Sequence, residues 1–497
     1  MIDKLSWIAV LPDLILLAST CAIAMLDLWV KGQMRTRTYV LTMLALAVVA
    51  AFQADQAASG TTIYGFGNMI VSDPMGNWLK CFSTLAVMVT LVYARPYAAE
   101  RGMLQGGEIF TLSMFALLGM LVMISGNNLL VIYLGLELLT LSSYALVALR
   151  RDDAVATEAG MKYFVLGAMA SGFLLYGMSM LYGATGTLEI PAIFKAIASG
   201  QIRHEILVFG LVFVVAGLAF KLGAVPFHMW VPDVYHGAPT AITLMIGGAP
   251  KLAAFGMTMR LLVEGLLPLA IDWQNMLLVL VLGSLLVGNL AAIVQTNIKR
   301  MLAFSTISQM GFVLIGIMSG VVKGDALSYA ANAYSSAMFY AITYVPTTLA
   351  AFGVLLVLSR DGFEAENISD LAGLNHRSPY YAAIMGVCLL SLAGIPPLVG
   401  FYAKFSVLQA LLATGTQLAI FVAVYAVLMS LIGAFYYLRV IKVMYFDAPG
   451  DKLKPIGCPR DVQVTMGINA ALLLALGLFP GGLLALCGTS VRQMLGT

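Results

Sequence analysis

Charged residues are scarce in this chain, and their scarcity argues against a water-soluble protein. Only 10% of the 497 residues are Asp, Glu, Lys or Arg, whereas soluble domains average about 25%. Hydrophobic residues account for 61% of the chain, and the mean hydropathy is +0.94. Because lipid is the solvent that suits such a surface, the composition predicts an integral membrane protein.

Side chains that would bind metals, cofactors or nucleic acid are also few. The net charge is +3, with no basic tail and no acidic run, which gives no reason to expect a nucleic-acid partner. The five cysteines stand singly, and the closest histidines, His228 and His236, are eight residues apart. No glycine-rich dinucleotide motif and no cysteine set for an iron–sulfur cluster is present. We therefore expect no metal and no cofactor in this chain.

The chain contains fourteen apolar segments long enough to cross a bilayer, for which a helix needs about 20 residues. They lie near residues 7–30, 37–54, 76–95, 106–125, 127–149, 160–184, 205–225, 239–263, 274–296, 300–319, 328–358, 380–395, 417–440 and 462–487. Strands of membrane barrels are about ten residues long and alternate strictly, unlike these segments. The first segment is too long, and its start too near neutral, for a cleaved signal peptide. The sequence predicts an all-α polytopic membrane protein with about 14 transmembrane helices.

Lysine and arginine are shared unevenly between the two sets of loops. Loops after odd-numbered helices carry 16 of the 27, and the opposite loops carry 6. The larger set is Lys31, Arg35, Arg37, Arg95, Arg101, Arg150, Arg151, Lys299, Arg300, Arg360, Arg377, Arg439, Lys442, Lys452, Lys454 and Arg460. The smaller set is Lys4, Lys195, Arg203, Arg260, Lys323 and Arg492. Because cytoplasmic loops are rich in Lys and Arg, the odd-side loops are predicted to be cytoplasmic and both termini to lie outside.

The five remaining lysines fall inside predicted spans, where a charge costs roughly 2.5–3.5 kcal/mol on insertion scales. Lys80 lies near the start of its helix, and its ammonium is expected to reach the membrane interface. Lys162 lies a turn or two inside the sixth helix, while Lys221, Lys251 and Lys404 lie deeper among apolar residues. Charges retained at such a cost indicate function, or else they lock helices together.

Acidic residues in the spans are rarer still. Glu137 lies near the middle of the fifth span and needs a cationic partner, for which the intramembrane lysines are candidates. In the first helix, Asp27 is near a helix end and is expected to be hydrated, whereas Asp13 has no assigned role. Burial and a neighbouring carboxylate act in opposite directions on the proton affinity of a lysine. A buried lysine whose partner can move is therefore a switchable proton site.

Two predicted spans are too long for one helix and contain prolines. The seventh continues to His236 and contains Pro226, and the twelfth continues to Thr414 and contains Pro396 and Pro397. Matched interruptions in two halves are typical of transporters with inverted repeats. Because the breaks are five helices apart, we predict two inverted five-helix repeats, helices 4–8 and 9–13. The single membrane domain 1–497 would divide into a three-helix segment 1–100, repeats 101–263 and 274–445, and a C-terminal helix within 446–497.

The segment that follows the first break reads PFHMWVPDVYHGAPT from Pro226 to Thr240. Together with GLEL at 135–138, EAGMKY at 158–163, NIKRMLAFS at 297–305 and GIPP at 394–397, it resembles the antiporter-like membrane subunits of respiratory complex I. The form Asp-Val-Tyr-x-Gly-Ala-Pro is typical of the subunit N branch of that family. The resemblance covers roughly residues 100–445.

The resemblance implies a role in proton movement for the matching residues. Glu137 would pair with Lys221, Lys251 would continue the path, and Lys404 would face the outside half-channel. Lys162 would link this subunit to its neighbour.

Some relatives carry a histidine in the tenth helix, where this chain has Ser305, Ser308 and Gln309. Hydroxyl groups or water would have to replace that histidine.

The function implied is a proton-translocating subunit of NADH:quinone oxidoreductase in the bacterial inner membrane, with both termini periplasmic. NADH, FMN, iron–sulfur clusters and quinone would be handled by partner subunits. The expected partners are the neighbouring antiporter-like subunit M, small subunits such as K and J, and the lipid bilayer. Two alternatives stay open from the residues: a subunit of a multi-subunit cation/proton antiporter, and a passive scaffold.

Overall fold

The described part of the chain is almost entirely helical. The computed structural model describes residues 4–322, 329–360, 362–449 and 456–496, so Lys323, Lys452 and Lys454 lie outside the described residues. Thirteen helical segments there are long and apolar enough to cross a membrane, and the shorter pair Pro379–Ala393 and Val399–Ala413 supplies one further crossing. The prediction of an all-α polytopic membrane protein is confirmed.

Six helices make the first six crossings, and a hairpin interrupts them once. The six are α1 (Lys4–Asp27), α2 (Thr36–Ala58), α3 (Pro74–Glu100), α4 (Glu108–Ser125), α5 (Leu129–Val147) and α6 (Ala154–Thr185). Between α2 and α3, β1 (Ile63–Gly65) and β2 (Ile70–Ser72) pair antiparallel. The short helix α7 (Ile190–Ala198) follows α6 and buries three isoleucines along one face.

The rest of the chain forms the remaining crossings. Its helices are α8 (His204–Leu222), α9 (Trp230–Gly237), α10 (Thr240–Gly247), α11 (Pro250–Thr258), α12 (Ala270–Ile293), α13 (Ile298–Met318), α14 (Ala330–Leu358), α15 (Leu374–Arg377), α16 (Pro379–Ala393), α17 (Val399–Ala413), α18 (Gln417–Phe446), α19 (Arg460–Leu478) and α20 (Gly481–Leu495). Short 3-10 helices cover Leu267–Leu269 and Ile368–Leu371. Because α13 and α14 are buried along almost their whole length, they form the centre of the bundle.

The seventh and twelfth crossings are each divided into two half-helices at the predicted prolines. Helix α8 ends at Leu222 and α9 begins at Trp230, while α16 ends at Ala393 and α17 begins at Val399. Each first half-helix ends in a glycine with positive φ, +79° at Gly223 and +86° at Gly394. This left-handed conformation is accessible to glycine and ends a helix by turning the chain away from its axis. Both breaks therefore leave a helix C-terminus inside the bundle.

Two crossings are more irregular than the sequence predicted. The eighth consists of α10, α11 and a π-helix at Met259–Gly265. Arg260, for which the sequence predicts an outer loop, lies in this π-helix and is fully buried. The fourteenth, predicted as one segment at 462–487, is divided between α19 and α20 at Pro480. Proline at this point has no amide hydrogen with which to continue α19.

Charges of the first helix are paired, which corrects two predictions. Lys80 does not reach the membrane interface; it is 1% exposed, and its Nζ lies 3.0 Å from the Asp13 carboxylate. Asp27 is buried instead of hydrated, because it accepts hydrogen bonds from Arg35 at 3.1 Å and from the Gly107 amide at 2.7 Å. Asp13 is 67 positions from Lys80, and Asp27 is 80 positions from Gly107, so these contacts fasten α1 to α3 and to the start of α4, and Asp13 has a structural role.

Helices α4 and α5 approach so closely that only glycine fits between them. A Cβ at Gly135 would lie 2.6 Å from the Met123 amide nitrogen, and a Cβ at Gly119 would lie 2.4 Å from the Leu139 nitrogen. Small residues allow membrane helices to pack backbone against backbone. The glycine two residues before Glu137 therefore helps to fix where that carboxylate lies.

We expect Gly135→Ala to destabilise the chain by about 1–3 kcal/mol, because the added methyl group meets backbone atoms that cannot rotate away. Loss of monodisperse protein during heating in detergent measures this effect. Gly172→Ala in α6 is the matched control, since a Cβ there meets no atom within 4 Å. Equal stability of the two variants would contradict the prediction.

Candidate functional site

Lys221 and Lys251 meet at the buried end of α8. Lys251 is 2% exposed, and its Nζ donates to the carbonyls of Lys221 at 3.2 Å and Leu222 at 2.9 Å. These are the last two carbonyls of α8, where the helix dipole places partial negative charge. The half-helix therefore supplies the acceptors for a buried ammonium without using a carboxylate.

A small cavity joins the two lysines. Ser143, Tyr163 and Trp230 line it together with Lys221 and Lys251. The space holds about one water molecule. The Lys221 Nζ is buried and has no hydrogen-bond partner among the described residues. A buried polar atom of this kind needs a water or a mobile partner, which the cavity can admit.

The pair that the resemblance implied between Glu137 and Lys221 is not formed in this structure. Neither side chain belongs to an ion pair among the described residues, and the Glu137 Oε1 is buried without a hydrogen-bond partner. The cavity is lined from α5 by Leu139 and Ser143. Glu137 precedes Leu139 by two residues, which places it about 200° away around the helix. The two charged groups therefore make neither a hydrogen bond nor an ion pair with each other.

Lys404 repeats in the second half what Lys251 does in the first. It lies on α17, and its Nζ donates to the carbonyls of Leu392 at 2.9 Å and Ala393 at 3.0 Å. These are the last two carbonyls of α16, the half-helix that ends at the second break. A third hydrogen bond of 2.8 Å runs to the hydroxyl of Ser430 on α18. At each broken crossing, the first half-helix thus ends against the ammonium of a buried lysine.

The three polar residues of the tenth crossing lie in a buried hydrogen-bond network. Gln309 donates to the Leu392 carbonyl at 3.0 Å and to the Tyr437 hydroxyl at 3.1 Å. Tyr340 donates to the Gln309 amide oxygen, and Ser305 bonds to Tyr437. Because Leu392 also accepts from the ammonium on α17, this network reaches directly to that lysine.

Further hydroxyl groups extend the network across α13. Tyr344 donates to Thr306 at 2.8 Å, and Asn289 donates to Ser308 at 2.9 Å. Tyr235 packs edge-on against Trp230, a residue that lines the lysine cavity, with ring centroids 6.3 Å apart. Hydroxyls and an amide therefore occupy the place in which some relatives carry a histidine.

Lys162 lies apart from the buried lysines, on the outer face of α6. Its side chain is 44% exposed and pairs with Glu158 at 2.9 Å and with Asp233 at 3.1 Å. Asp233 also pairs with Arg300 at 2.8 Å. The structure therefore places Lys162 in an ion-pair chain at one end of the bundle, and Lys162 does not line the cavity at Lys221. Its role in proton movement stays a prediction.

Several residues of the site escape prediction from the sequence. Tyr340 and Tyr437 lie in apolar helices that carry other tyrosines, so packing is the ordinary expectation for them, and Ser430 is the single serine of α18. Their hydrogen bonds join residues that lie from 26 to 132 positions apart. Within the described ranges, no group of three or more His, Cys, Asp or Glu side chains could hold a metal ion.

Comparisons with known proteins agree on one family. Residues 126–430 match the family described as "NADH:quinone oxidoreductase/Mrp antiporter, TM". NADH-quinone oxidoreductase subunit N of Polaromonas naphthalenivorans is 67% identical over 498 residues, which covers 100% of this chain and 99% of that protein. A chain of respiratory complex I from Thermus thermophilus with bound aureothin superposes with a TM-score of 0.78 at 29% identity, covering 96% and 100% of the two chains. A chain of the Mrp complex from Dietzia shares the fold, with a TM-score of 0.83 at 20% identity and 99% and 97% coverage.

Proposed function

This chain belongs to the NADH:quinone oxidoreductase/Mrp antiporter family, in the branch of NADH-quinone oxidoreductase subunits N, and from that membership we propose that its buried lysines carry protons across the membrane. The chain is an antiporter-like membrane-arm subunit. Its own contribution is proton transfer without redox chemistry. NADH, FMN, iron–sulfur clusters and quinone belong to partner subunits. In the membrane arm, the neighbours of this chain are the antiporter-like subunit M and small subunits such as K and J.

One observation supports this function above all others. At each break, a buried lysine donates to the last two carbonyls of a half-helix: Lys251 to α8 and Lys404 to α16. The carbonyls stabilise the ammonium but, unlike a carboxylate, they keep no full charge when the proton leaves. Such a site can hold a proton and release it without leaving an unpaired ion in the membrane.

The path begins at Glu137 and Lys221 and continues through the cavity to Lys251. From there Tyr235 and the hydroxyls around Thr306 lead to the network of Gln309, which reaches Lys404 through the Leu392 carbonyl that both side chains share. Tyrosine and serine hydroxyls donate and accept, so protons can pass along them.

Because Glu137 and Lys221 are unpaired in this structure, a rotation of either side chain that joins them changes the proton affinity of Lys221. This change in proton affinity is the step by which Lys221 takes up a proton and passes it into the path.

We place the chain in the inner membrane of a bacterium because of its family, and we place both termini in the periplasm because of the uneven loop charges. A cation/proton antiporter subunit is the weaker alternative. The Mrp chain resembles this protein in fold at 20% identity, whereas the Polaromonas subunit N is 67% identical over the full length. Lysines at the centre of the path also disfavour a cation site.

We expect Lys221→Ala to lower the proton uptake per NADH oxidised while the complex still assembles, because the cavity loses its proton acceptor but α8 keeps its packing. Proton uptake by inverted membrane vesicles, measured together with NADH oxidation, gives this ratio. Lys195→Ala on α7, an exposed lysine, is the control. A passive scaffold would instead lose assembly, and an unchanged ratio in an assembled Lys221→Ala complex would refute the mechanism.

A further inference from the structure

A chain of four charged residues crosses one end of the bundle, outside the path of the buried lysines. Glu158 and Lys162 of α6 pair at 2.9 Å, Lys162 pairs with Asp233 of α9 at 3.1 Å, and Asp233 pairs with Arg300 of α13 at 2.8 Å. Asp233 is the centre of the set, because each of its two oxygens bonds a different cation. It therefore links the sixth crossing to the tenth through the second half of the broken seventh.

The helix that carries Asp233 also forms a wall of the lysine cavity. Trp230, one turn earlier on α9, lines the cavity, and its ring lies 5.4 Å from the Lys251 Nζ. Its indole donates to the Phe220 carbonyl at 2.9 Å and stacks on Tyr163 with ring centroids 4.8 Å apart. Because α9 has only eight residues, a displacement of Asp233 moves Trp230 with it.

The other end of the ion-pair chain is exposed on the outer surface of α6. The side chains of Glu158 and Lys162 are 66% and 44% exposed. They lie on α6 beside exposed apolar residues, among them Met161, Phe164 and Val165. Charges on a membrane-facing surface are costly in lipid and indicate contact with protein or water. A carboxylate of an adjacent subunit can therefore compete with Asp233 for the Lys162 ammonium.

A purely structural role explains this arrangement poorly. Exposed ion pairs contribute little to stability, and all four side chains are partly exposed. The other end of α9 is already fastened, since the Lys299 ammonium donates to the Ala238 carbonyl at 3.2 Å. A single carboxylate bound to two cations from different halves of the fold is better suited to transmit a displacement than to hold a helix.

We propose that Asp233 is a positioning residue that couples the exposed Glu158–Lys162 pair to the cavity between Lys221 and Lys251. When a neighbouring carboxylate draws Lys162 away, Asp233 keeps Arg300 as its partner, and α9 moves towards α13. Trp230 then changes the width of the cavity and the access of water to Lys221. This inference rests on the proposed function, because it concerns how the same proton path is opened.

The test uses the assembled complex in inverted membrane vesicles. We expect Asp233→Asn to lower proton uptake per NADH by about twofold or more, since about twofold is the smallest effect expected of mutations that interrupt coupling between sites. NADH oxidation in the presence of an uncoupler should be unchanged. Asp233→Glu, which restores the charge, should recover most of the ratio. Asp152→Asn, an exposed aspartate in the loop before α6, is the control and should match the parent.

A double-mutant cycle separates coupling from simple packing. Lys162→Gln should cause a similar loss, and adding it to Asp233→Asn should cause little more, because both break the same link. Additive losses, or a parental ratio in Lys162→Gln, would overturn the inference. If Asp233→Asn reduces assembly, Lys162→Gln alone decides the matter, since it leaves the Asp233–Arg300 pair intact.

Lys221→Ala, measured in parallel, keeps this inference apart from the proposed function. A parental ratio in Asp233→Asn together with a lowered ratio in Lys221→Ala refutes only the coupling through α9. A parental ratio in Lys221→Ala refutes the proton path itself.

Discussion

Replacement of Arg260 by methionine is expected to destabilise the chain by about 3–5 kcal/mol, because it leaves a buried carboxylate without its counter-charge. Arg260 is fully buried; it pairs with Asp73, whose residue is 2% exposed, and with Glu264 at 2.5 Å. Its Nε also donates to the Ile124 carbonyl at 3.1 Å. One guanidinium therefore joins the start of α3, the end of α4 and the π-helix of the eighth crossing.

The amount of intact complex in the membrane, and the temperature at which the detergent-solubilised chain aggregates, measure this effect. Arg203→Met is the matched control, because the Arg203 side chain is 78% exposed. The double variant Arg260→Met with Asp73→Asn should regain part of the loss. Asparagine removes the unpaired charge but retains a side-chain acceptor for the Gly76 amide at the start of α3. Parental stability of Arg260→Met would show that the cluster is not a structural junction.

The parts of this fold that the sequence predicts well are those set by local chemistry. Long apolar segments specify the crossings, and Pro226, Pro396 and Pro397 mark the two breaks because proline cannot continue a helix. The lysines stand out since charge in lipid is costly. Their carbonyl acceptors are not visible from the sequence, because a lysine shows neither the direction of its side chain nor which half-helix ends beside it.

Pairing over long distances in the sequence accounts for most of the errors. Lys80 and Asp13 are 67 positions apart, and Arg260 and Asp73 are 187 positions apart. Nothing in either local sequence specifies its partner, so the sequence alone predicts an interfacial Lys80 and a loop position for Arg260. The hydrogen bonds of the Gln309 network also join residues that are distant in the sequence. Its tyrosines become recognisable as polar links only when α13, α14 and α18 are packed together.

The most informative change in the second half of the chain is Lys404→Arg. It keeps a positive charge at this position but hinders the release of a proton, so it separates the two roles of Lys404. Arginine can still donate to the carbonyls of Leu392 and Ala393, which now accept from Lys404 at 2.9 and 3.0 Å. In water a guanidinium gives up its proton on the order of a hundred- to a thousandfold less readily than an ammonium. The variant should therefore stay folded, and proton uptake through this chain should cease.

Lys404→Met can neither hold a positive charge at this position nor release a proton. The end of α16 would lose a charged donor to its last two carbonyls, and Ser430 would lose its partner at 2.8 Å, so we expect a loss of stability on the order of 3 kcal/mol in addition to the loss of proton uptake. Thermal stability and proton uptake per NADH, measured for both variants, distinguish the two roles. Lys442→Arg, at a lysine whose side chain is 64% exposed, controls for the substitution itself. If Lys404→Arg pumps as the parent does, Lys404 serves only to bind the end of α16, and the proton leaves the network by another group.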